Sequence, residues 1–191
     1  MQVGLFGGSF DPIHHGHLIV GQAVAEALAL DELRFVPARE QPFKVGLHAA
    51  PAEARCRMVA LAIEGEPRFR LERAELDRPG PSYSVDTLRL LREREPAHRF
   101  TLLIGADAAR ELPSWREAGA LAELAELVLF ARAGADLPTL PWPHRAVTVP
   151  VVDISATTIR RRVVEGRSLR YWVPDAVAEF IQVERLYLPD A

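Results

Sequence analysis

A glycine turn between an apolar run and a helical pattern constrains the fold of this chain more than any other feature. Residues 3–6 are apolar and predict a short buried strand, and residues 18–30, rich in Ala, Leu and Val, predict a helix. Gly7 and Gly8 open the turn between them, where a ligand can approach the backbone closely. Free backbone N–H groups and the positive end of the helix dipole meet at such a junction. The sequence therefore predicts a phosphate-sized anion site there.

Three histidines, His14, His15 and His17, lie in the same turn. His14 and His17 are three residues apart, so in a first helical turn they would share one face. Two imidazoles beside an anion site indicate stabilisation of charge on a transferring phosphoryl or nucleotidyl group. A metal site is the alternative, but zinc would need a third and a fourth ligand, and the only cysteine, Cys56, is distant in sequence.

Predicted strands and helices alternate along nearly the whole chain. Strands are predicted at 33–37, 69–71, 100–104, 127–130 and 147–152, and helices at 51–63, 84–95, 118–124, 157–164 and 173–183. This order predicts an α/β fold, a Rossmann-like parallel sheet with helices on both faces. We expect one domain over 1–191, with a core at 1–152 and a small C-terminal helical extension at 153–191. Ligands of such sheets bind beyond the carboxyl ends of the strands, and the candidates Gly7, Lys44, Asp107 and Ser155 each follow a predicted strand.

Composition narrows the classes of protein. Hydrophobic residues make up 49% of the 191 residues, which excludes a disordered chain, and the net charge of −3 does not favour a nucleic-acid partner. No signal-peptide pattern opens the sequence, and no apolar run approaches the length of a membrane span. With a single cysteine, a cytoplasmic protein is expected, and a homo-oligomer stays open.

Two further segments carry candidate anion ligands. Every basic residue is arginine except Lys44, whose compact ammonium differs from a guanidinium, although one surviving lysine is also explained by chance. Ser155 is expected to cap the helix that follows it, and Thr157 and Arg160 lie within one turn of that cap. Alone, this second pattern is a plain helix cap with an exposed basic face.

The same strings resemble a known superfamily. Residues 8–17 match the G-x-F-D-P-x-H-x-G-H signature of nucleotidyltransferases, and residues 154–160 resemble their I-S-S-T-x-I-R motif, with Ala156 in place of the second serine. Residues 81–88, 104–107 and 112–115 resemble the bacterial nicotinate-mononucleotide adenylyltransferases, so the resemblance covers nearly all the chain. Residues 37–44 resemble the P-P-H-K loop of that family; Lys44 matches, whereas Gln41 and Phe43 depart from it.

The resemblance implies a division of labour among the site residues. The triphosphate of ATP and its developing charge would be held by four catalytic residues, His14, His17, Lys44 and Arg160. Further ATP contacts are implied for Gly7, Gly8, Ser9, Phe10, Ile154, Ser155 and Thr157. The nicotinate mononucleotide would contact Tyr83, Ser84, Gly105, Asp107, Trp115 and Arg132.

The implied reaction transfers AMP from ATP to nicotinate mononucleotide, giving deamido-NAD and pyrophosphate. Mg²⁺ is the implied cofactor, held mainly by phosphates, with no protein metal ligands. Three alternatives stay open: a phosphopantetheine adenylyltransferase, an enzyme that prefers nicotinamide mononucleotide, and a non-catalytic nucleotide sensor. The intact histidine pair speaks against the sensor, and the Tyr83 turn and Trp115 speak against phosphopantetheine as acceptor.

Overall fold

Six parallel strands form one sheet in the order β3-β2-β1-β4-β5-β6. The structure, a computed structural model, describes residues 1–41 and 49–189. Within them the strands are β1 (Gln2–Gly8), β2 (Glu32–Pro37), β3 (Phe69–Leu71), β4 (Arg99–Gly105), β5 (Glu126–Arg132) and β6 (Arg145–Val149). The central strands are almost continuously apolar, as expected for a parallel sheet covered on both faces.

Helices cover the two faces of the sheet over two separate apolar cores. The described helices are α1 (His15–Ala27), α2 (Ala52–Ile63), α3 (Ser84–Arg94), α4 (Ala106–Glu111), α5 (Ala118–Leu124), α6 (Ala156–Val164) and α7 (Asp175–Val183). Buried residues of α1, α2, α6 and α7 belong to one core, and those of α3, α4 and α5 belong to the other. The predicted Rossmann-like α/β fold with helices on both faces is confirmed.

The strand order reverses direction between β1 and β4. Leu5 of β1 is in register with Arg34 of β2 on one side and with Leu102 of β4 on the other. Chain connections leave the sheet in opposite directions from these two strands, which opens a crevice beyond their carboxyl ends. Gly7 and Gly105 lie at those ends, so the fold brings two sequence-predicted segments to one edge of the sheet.

Several element boundaries differ from the sequence predictions. Helix α1 begins at His15 rather than at residue 18, and it ends at Ala27 because Ala29 adopts a left-handed φ of 50° and Leu30 N–H closes back onto Ala25 O at 2.9 Å. Strand β6 ends at Val149 rather than at residue 152, since Pro150 has no N–H for the ladder. Helix α4 and a 3₁₀ turn at Leu112–Ser114 were not predicted.

Helix length also bears on the membrane question. Over residues 1–41 and 49–189, no helix is both long and apolar enough to cross a bilayer.

Candidate active site

The turn that follows β1 is open to solvent at Gly7 and closely packed at Gly8. Apart from its two chain neighbours, no described residue lies within 4 Å of a Cβ atom built on Gly7, which leaves space for a ligand there. At Gly8 the same atom would lie 3.0 Å from the ring of Phe10, which is buried beneath the turn with a left-handed φ of 47°. Ser9 donates its hydroxyl to Gln41 Oε1 at 3.0 Å. The turn therefore presents backbone on one side and is packed on the other.

The two predicted histidines form a stacked pair at the start of α1. Their ring centroids lie 3.7 Å apart with 24° between the planes. His14 is the N-cap residue of α1 rather than part of its first turn, and its backbone N–H donates to His17 Nδ1 at 3.3 Å. Because His17 Nδ1 accepts this bond, the neutral ring carries its proton on Nε2, which is then the donor available to a ligand. A Cβ atom on Gly16 would lie 2.9 Å from His14 Nδ1, so only glycine leaves room for this ring.

Burial keeps both imidazoles neutral at pH 7. It lowers the pKa of His14 to about 4, with a further decrease from the charge of His15. Burial, and then the charge of His14, lowers the pKa of His17 well below its ordinary value. The rings of Phe6 and Phe10 meet His17 edge-on. His14 Nδ1 is buried and has no full hydrogen bond among the described residues.

Helix α6 brings the second motif to the same turn. Arg160 donates from Nη1 to the backbone oxygen of Asp11 at 2.7 Å and from Nη2 to Thr157 Oγ1 at 3.4 Å. Ser155 caps α6 as predicted, accepting the Thr158 N–H at 3.2 Å. The Ser155 hydroxyl is thus engaged in capping, while Thr157 is exposed and Ile154 packs against the core. The strings at 8–17 and 154–160 therefore form one surface.

The region expected to hold the pyridine ring lies at the start of α3. Tyr83 is the N-cap of α3, so Ser84 is the first helical residue. The Arg116 guanidinium lies 4.9 Å from the centre of the Tyr83 ring, and Arg116 follows Trp115 directly. Tyr83 and Trp115 pack against the same core, and the buried indole Nε1 has no hydrogen-bond partner in the parts of the chain described. The structure therefore brings the Tyr83 and Trp115 segments together.

The expected ribose and phosphate ligands lie at the ends of β4 and β5. Gly105 is the N-cap of α4 and is in register with Phe130 of β5. Asp107, in the first turn of α4, is fully exposed and pairs with Arg110 at 2.8 Å. Arg132 ends β5 and is exposed. These residues share the carboxyl edge of the sheet with Gly7.

One predicted ligand, Lys44, lies outside the described residues. Two other residues, Asp11 and Arg55, lie beneath the turn and were given no role by the sequence patterns. Arg55 had a detectable signal: with Val59 and Ile63 it recurs every fourth residue on the buried face of α2, where an arginine is unusual.

The arrangement of the His, Cys, Asp and Glu side chains bears on metal binding. Over residues 1–41 and 49–189, no group of three or more His, Cys, Asp or Glu side chains is arranged to hold a metal ion. The Asp11 carboxylate already accepts hydrogen bonds from Ala49, Ala50 and Tyr187. The described side chains therefore do not themselves form a magnesium cage.

The chain belongs to the cytidylyltransferase-like family, whose pattern matches residues 5–162. It is 51% identical over 187 residues to a probable nicotinate-nucleotide adenylyltransferase of Thermus thermophilus, covering 98% of this chain and 100% of the relative. A probable nicotinate-nucleotide adenylyltransferase of a Roseiflexus species is 44% identical, with 97% of each chain covered. The resemblance expected from the motifs is thereby confirmed.

Solved structures share the fold at much lower identity. The Plasmodium falciparum nicotinic acid mononucleotide adenylyltransferase complexed with NaAD superposes with a TM-score of 0.80 at 19% identity, covering 97% of each chain. A putative nicotinate-nucleotide adenylyltransferase of Vibrio parahaemolyticus gives a TM-score of 0.73, covering 99% of this chain and 96% of that one. These likenesses extend over nearly the whole chain.

Proposed function

We propose that this chain is an adenylyltransferase that transfers AMP from ATP to nicotinate mononucleotide, giving deamido-NAD and pyrophosphate in NAD biosynthesis. The stacked pair of neutral histidines at the start of α1, beside the open backbone of Gly7, is the observation that carries the proposal. The names of the full-length relatives support this choice of substrates.

The reaction needs no general base. The phosphate of the mononucleotide is already ionised at neutral pH, so one of its oxygens can attack the α-phosphorus of ATP directly. A bond forms between that oxygen and the α-phosphorus. The bond from the α-phosphorus to the oxygen that bridges the α- and β-phosphorus atoms breaks, and pyrophosphate leaves. Catalysis then consists of positioning and of stabilising charge on the phosphoryl oxygens and the leaving group.

The histidines suit that task as neutral donors. His17 offers Nε2–H, and the N-terminus of α1 adds the positive end of a helix dipole. In this proposal the backbone of Gly7, Gly8, Ser9 and Phe10 contacts ATP, His14 and His17 donate to the triphosphate, and Arg160 supplies a fixed positive charge. Lys44 would add a second cation.

The α6 side and the cofactor complete the ATP half of the proposal. Exposed Thr157, the backbone of Ser155 and the apolar side chain of Ile154 would contact ATP at the start of α6. Mg²⁺, bound to the triphosphate, would neutralise part of its charge.

The acceptor would bind across the ends of α3, α4 and β5. Tyr83 and Trp115 offer aromatic faces to the pyridine ring, and the backbone N–H of Ser84 can bind its carboxylate. Asp107 can accept hydrogen bonds from ribose hydroxyls, and Arg132 can pair with the mononucleotide phosphate. Gly105 would contribute only its backbone, because the ring of Phe130 lies 3.2 Å from the position that a Cβ atom would take there. We place the enzyme in the cytoplasm, where a single unpaired cysteine stays reduced.

The test is pyrophosphate release by the purified chain with ATP, Mg²⁺ and one acceptor at a time. Nicotinate mononucleotide is expected to give the highest kcat/KM. A higher kcat/KM with nicotinamide mononucleotide or with phosphopantetheine would show that this compound, and not nicotinate mononucleotide, is the acceptor. No release with any of the three, together with tight ATP binding, would indicate a nucleotide sensor.

A further inference from the structure

Arg55 on α2 is a charged residue buried beneath the glycine turn. Only 1% of it is exposed, and all three guanidinium nitrogens donate to backbone oxygens. Nη1 reaches Ser9 O at 2.7 Å, Nη2 reaches Arg39 O at 3.0 Å and Nε reaches Ala50 O at 3.3 Å. One side chain therefore joins the turn after β1, the segment after β2 and the residues before α2.

Asp11 holds the same turn from its other end. It is 5% exposed, and its carboxylate accepts from Ala49 N–H at 2.7 Å, Ala50 N–H at 3.2 Å and Tyr187 O–H at 2.9 Å. Burial lowers the pKa of Arg55, and the negative charge of Asp11 opposes that decrease. The buried cation is thus balanced by a nearby carboxylate that anchors the C-terminal segment through Tyr187.

We propose that Arg55, Asp11 and Tyr187 are positioning residues that fix the turn of residues 8–14 where its N–H groups and the histidine pair meet the triphosphate. The inference rests on the proposed function, and it concerns residues to which the motifs gave no role. Neutral histidines and backbone dipoles act only at short range. Their contribution to catalysis therefore depends more strongly on their exact position than the contribution of a formal charge does.

The chemistry of the contacts explains why an arginine occupies this position. A planar guanidinium donates in several fixed directions at once, whereas a lysine ammonium donates from a single atom. Arg55→Lys keeps the buried positive charge beside Asp11 but cannot reach the oxygens of Ser9, Arg39 and Ala50 together. The substitution therefore tests geometry with the charge preserved.

The experiment compares steady-state kinetics of Arg55→Lys with Arg57→Lys, an exposed arginine on the same helix. Arg55→Lys is expected to lower kcat and to raise KM for ATP, each by about tenfold, because a small displacement of catalytic groups reduces both the rate and the binding of the substrate. KM for nicotinate mononucleotide is expected to stay within about twofold. Arg57→Lys is expected to match the wild-type chain in all three constants.

Tyr187→Phe supplies a milder second variant, because it removes one hydroxyl and keeps the ring. It is expected to raise KM for ATP by about threefold, a part of the free energy of one hydrogen bond to a charged carboxylate, without changing KM for the mononucleotide. If the Arg55→Lys variant does not unfold cooperatively, and so is not properly folded, the kinetics of Tyr187→Phe test the positioning role instead.

The outcomes separate this inference from the proposed function. An inactive wild-type chain would refute the function. An active wild-type chain with Arg55→Lys indistinguishable from Arg57→Lys would overturn the positioning role. So would equal increases in the KM values of both substrates, since a general loss of folded structure would act on both.

Discussion

At the scale of single residues, the ring of His17 is fixed by its neighbours. Phe6 and Phe10 meet it edge-on, and His14 stacks on it. The backbone N–H of His14 donates to Nδ1 of His17. The tautomer of the His17 ring, with its proton on Nε2, is therefore fixed before any ligand binds. Such preorganisation is what makes a neutral donor effective in catalysis.

Replacing His17 should therefore affect turnover more than folding. We expect His17→Gln to lower kcat by about 10²-fold to 10³-fold, the usual cost of losing one preorganised donor. His15→Gln is the matched control, since His15 lies in the same turn and outside the stacked pair. Pyrophosphate release and thermal unfolding of both variants check this. Near-normal turnover of His17→Gln would remove the ring from the mechanism.

The buried histidines also make stability depend on pH. Between the ordinary value of 6.5 and the folded pKa of about 4 for His14, the unfolded chain binds a proton that the folded chain does not. This contribution is fully present above pH 6.5 and is lost as the pH falls through that window. For His14 the loss at pH 5 is about 2 kcal/mol.

Urea unfolding at pH 7 and pH 5 tests the linkage. The stability of the wild-type chain relative to His14→Asn is expected to be lower at pH 5 than at pH 7, because the variant lacks this titrating group. An equal difference in unfolding free energy at both pH values would show that His14 is not held neutral.

At the scale of elements, α6 is a short helix whose first turn joins the site. Its cap is Ser155, and one turn later Arg160 contacts the oxygen of Asp11. Loss of the cap should fray the end of the helix that faces the glycine turn.

Ser155→Ala is expected to lower the free energy of unfolding by about 1 kcal/mol, the usual worth of an N-cap side chain. Ser155→Asn, which can still accept the Thr158 N–H, is expected to retain most of the stability. Denaturant midpoints of the two variants provide the comparison. Equal losses in both would mean that capping is not the role of this hydroxyl.

Strong apolar runs made most elements predictable from the sequence, and backbone details moved their ends. The strand at Phe69–Leu71 and the helix at Ala118–Leu124 were predicted to the residue. The start of α1 was not, because it depends on His14 acting as N-cap, which a hydrophobic pattern cannot reveal. Helix α4 is only six residues long, too short to show a helical period.

At the scale of the whole molecule, the site has two halves on either side of the crevice between β1 and β4. The glycine turn, the histidines and Arg160 lie on the β1 side. On the β4 side, Tyr83 and Trp115 pack with the other core, and Asp107 lies in the first turn of α4. Under the proposed function, each half would bind one substrate.

A substitution in one half should therefore spare the substrate of the other. We expect Asp107→Ala to raise KM for nicotinate mononucleotide by about tenfold, the loss of one charged hydrogen bond, with KM for ATP unchanged. Glu93→Gln, another exposed acidic residue, serves as the control. An equal rise in KM for both substrates would mean that the two halves do not bind separately.

Local motifs predicted the surface of the site but not its foundations. The histidine pair was visible because its spacing is local in sequence, and Ser155 was visible as a helix cap. The contacts of Arg55 with Ser9 and of Tyr187 with Asp11 join residues 46 and 176 positions apart. Such contacts depend on how the helices pack over the sheet, which no pattern in one segment reports.

The bond from Tyr187 to Asp11 has a consequence for biosynthesis of the chain. A ribosome that adds about 5–20 residues per second needs about 10 to 35 s to travel from the first of these residues to the second. During that time the glycine turn lacks the hydrogen bond from Tyr187 to Asp11. A polypeptide released before residue 187 carries every signature motif and lacks the support of that hydroxyl.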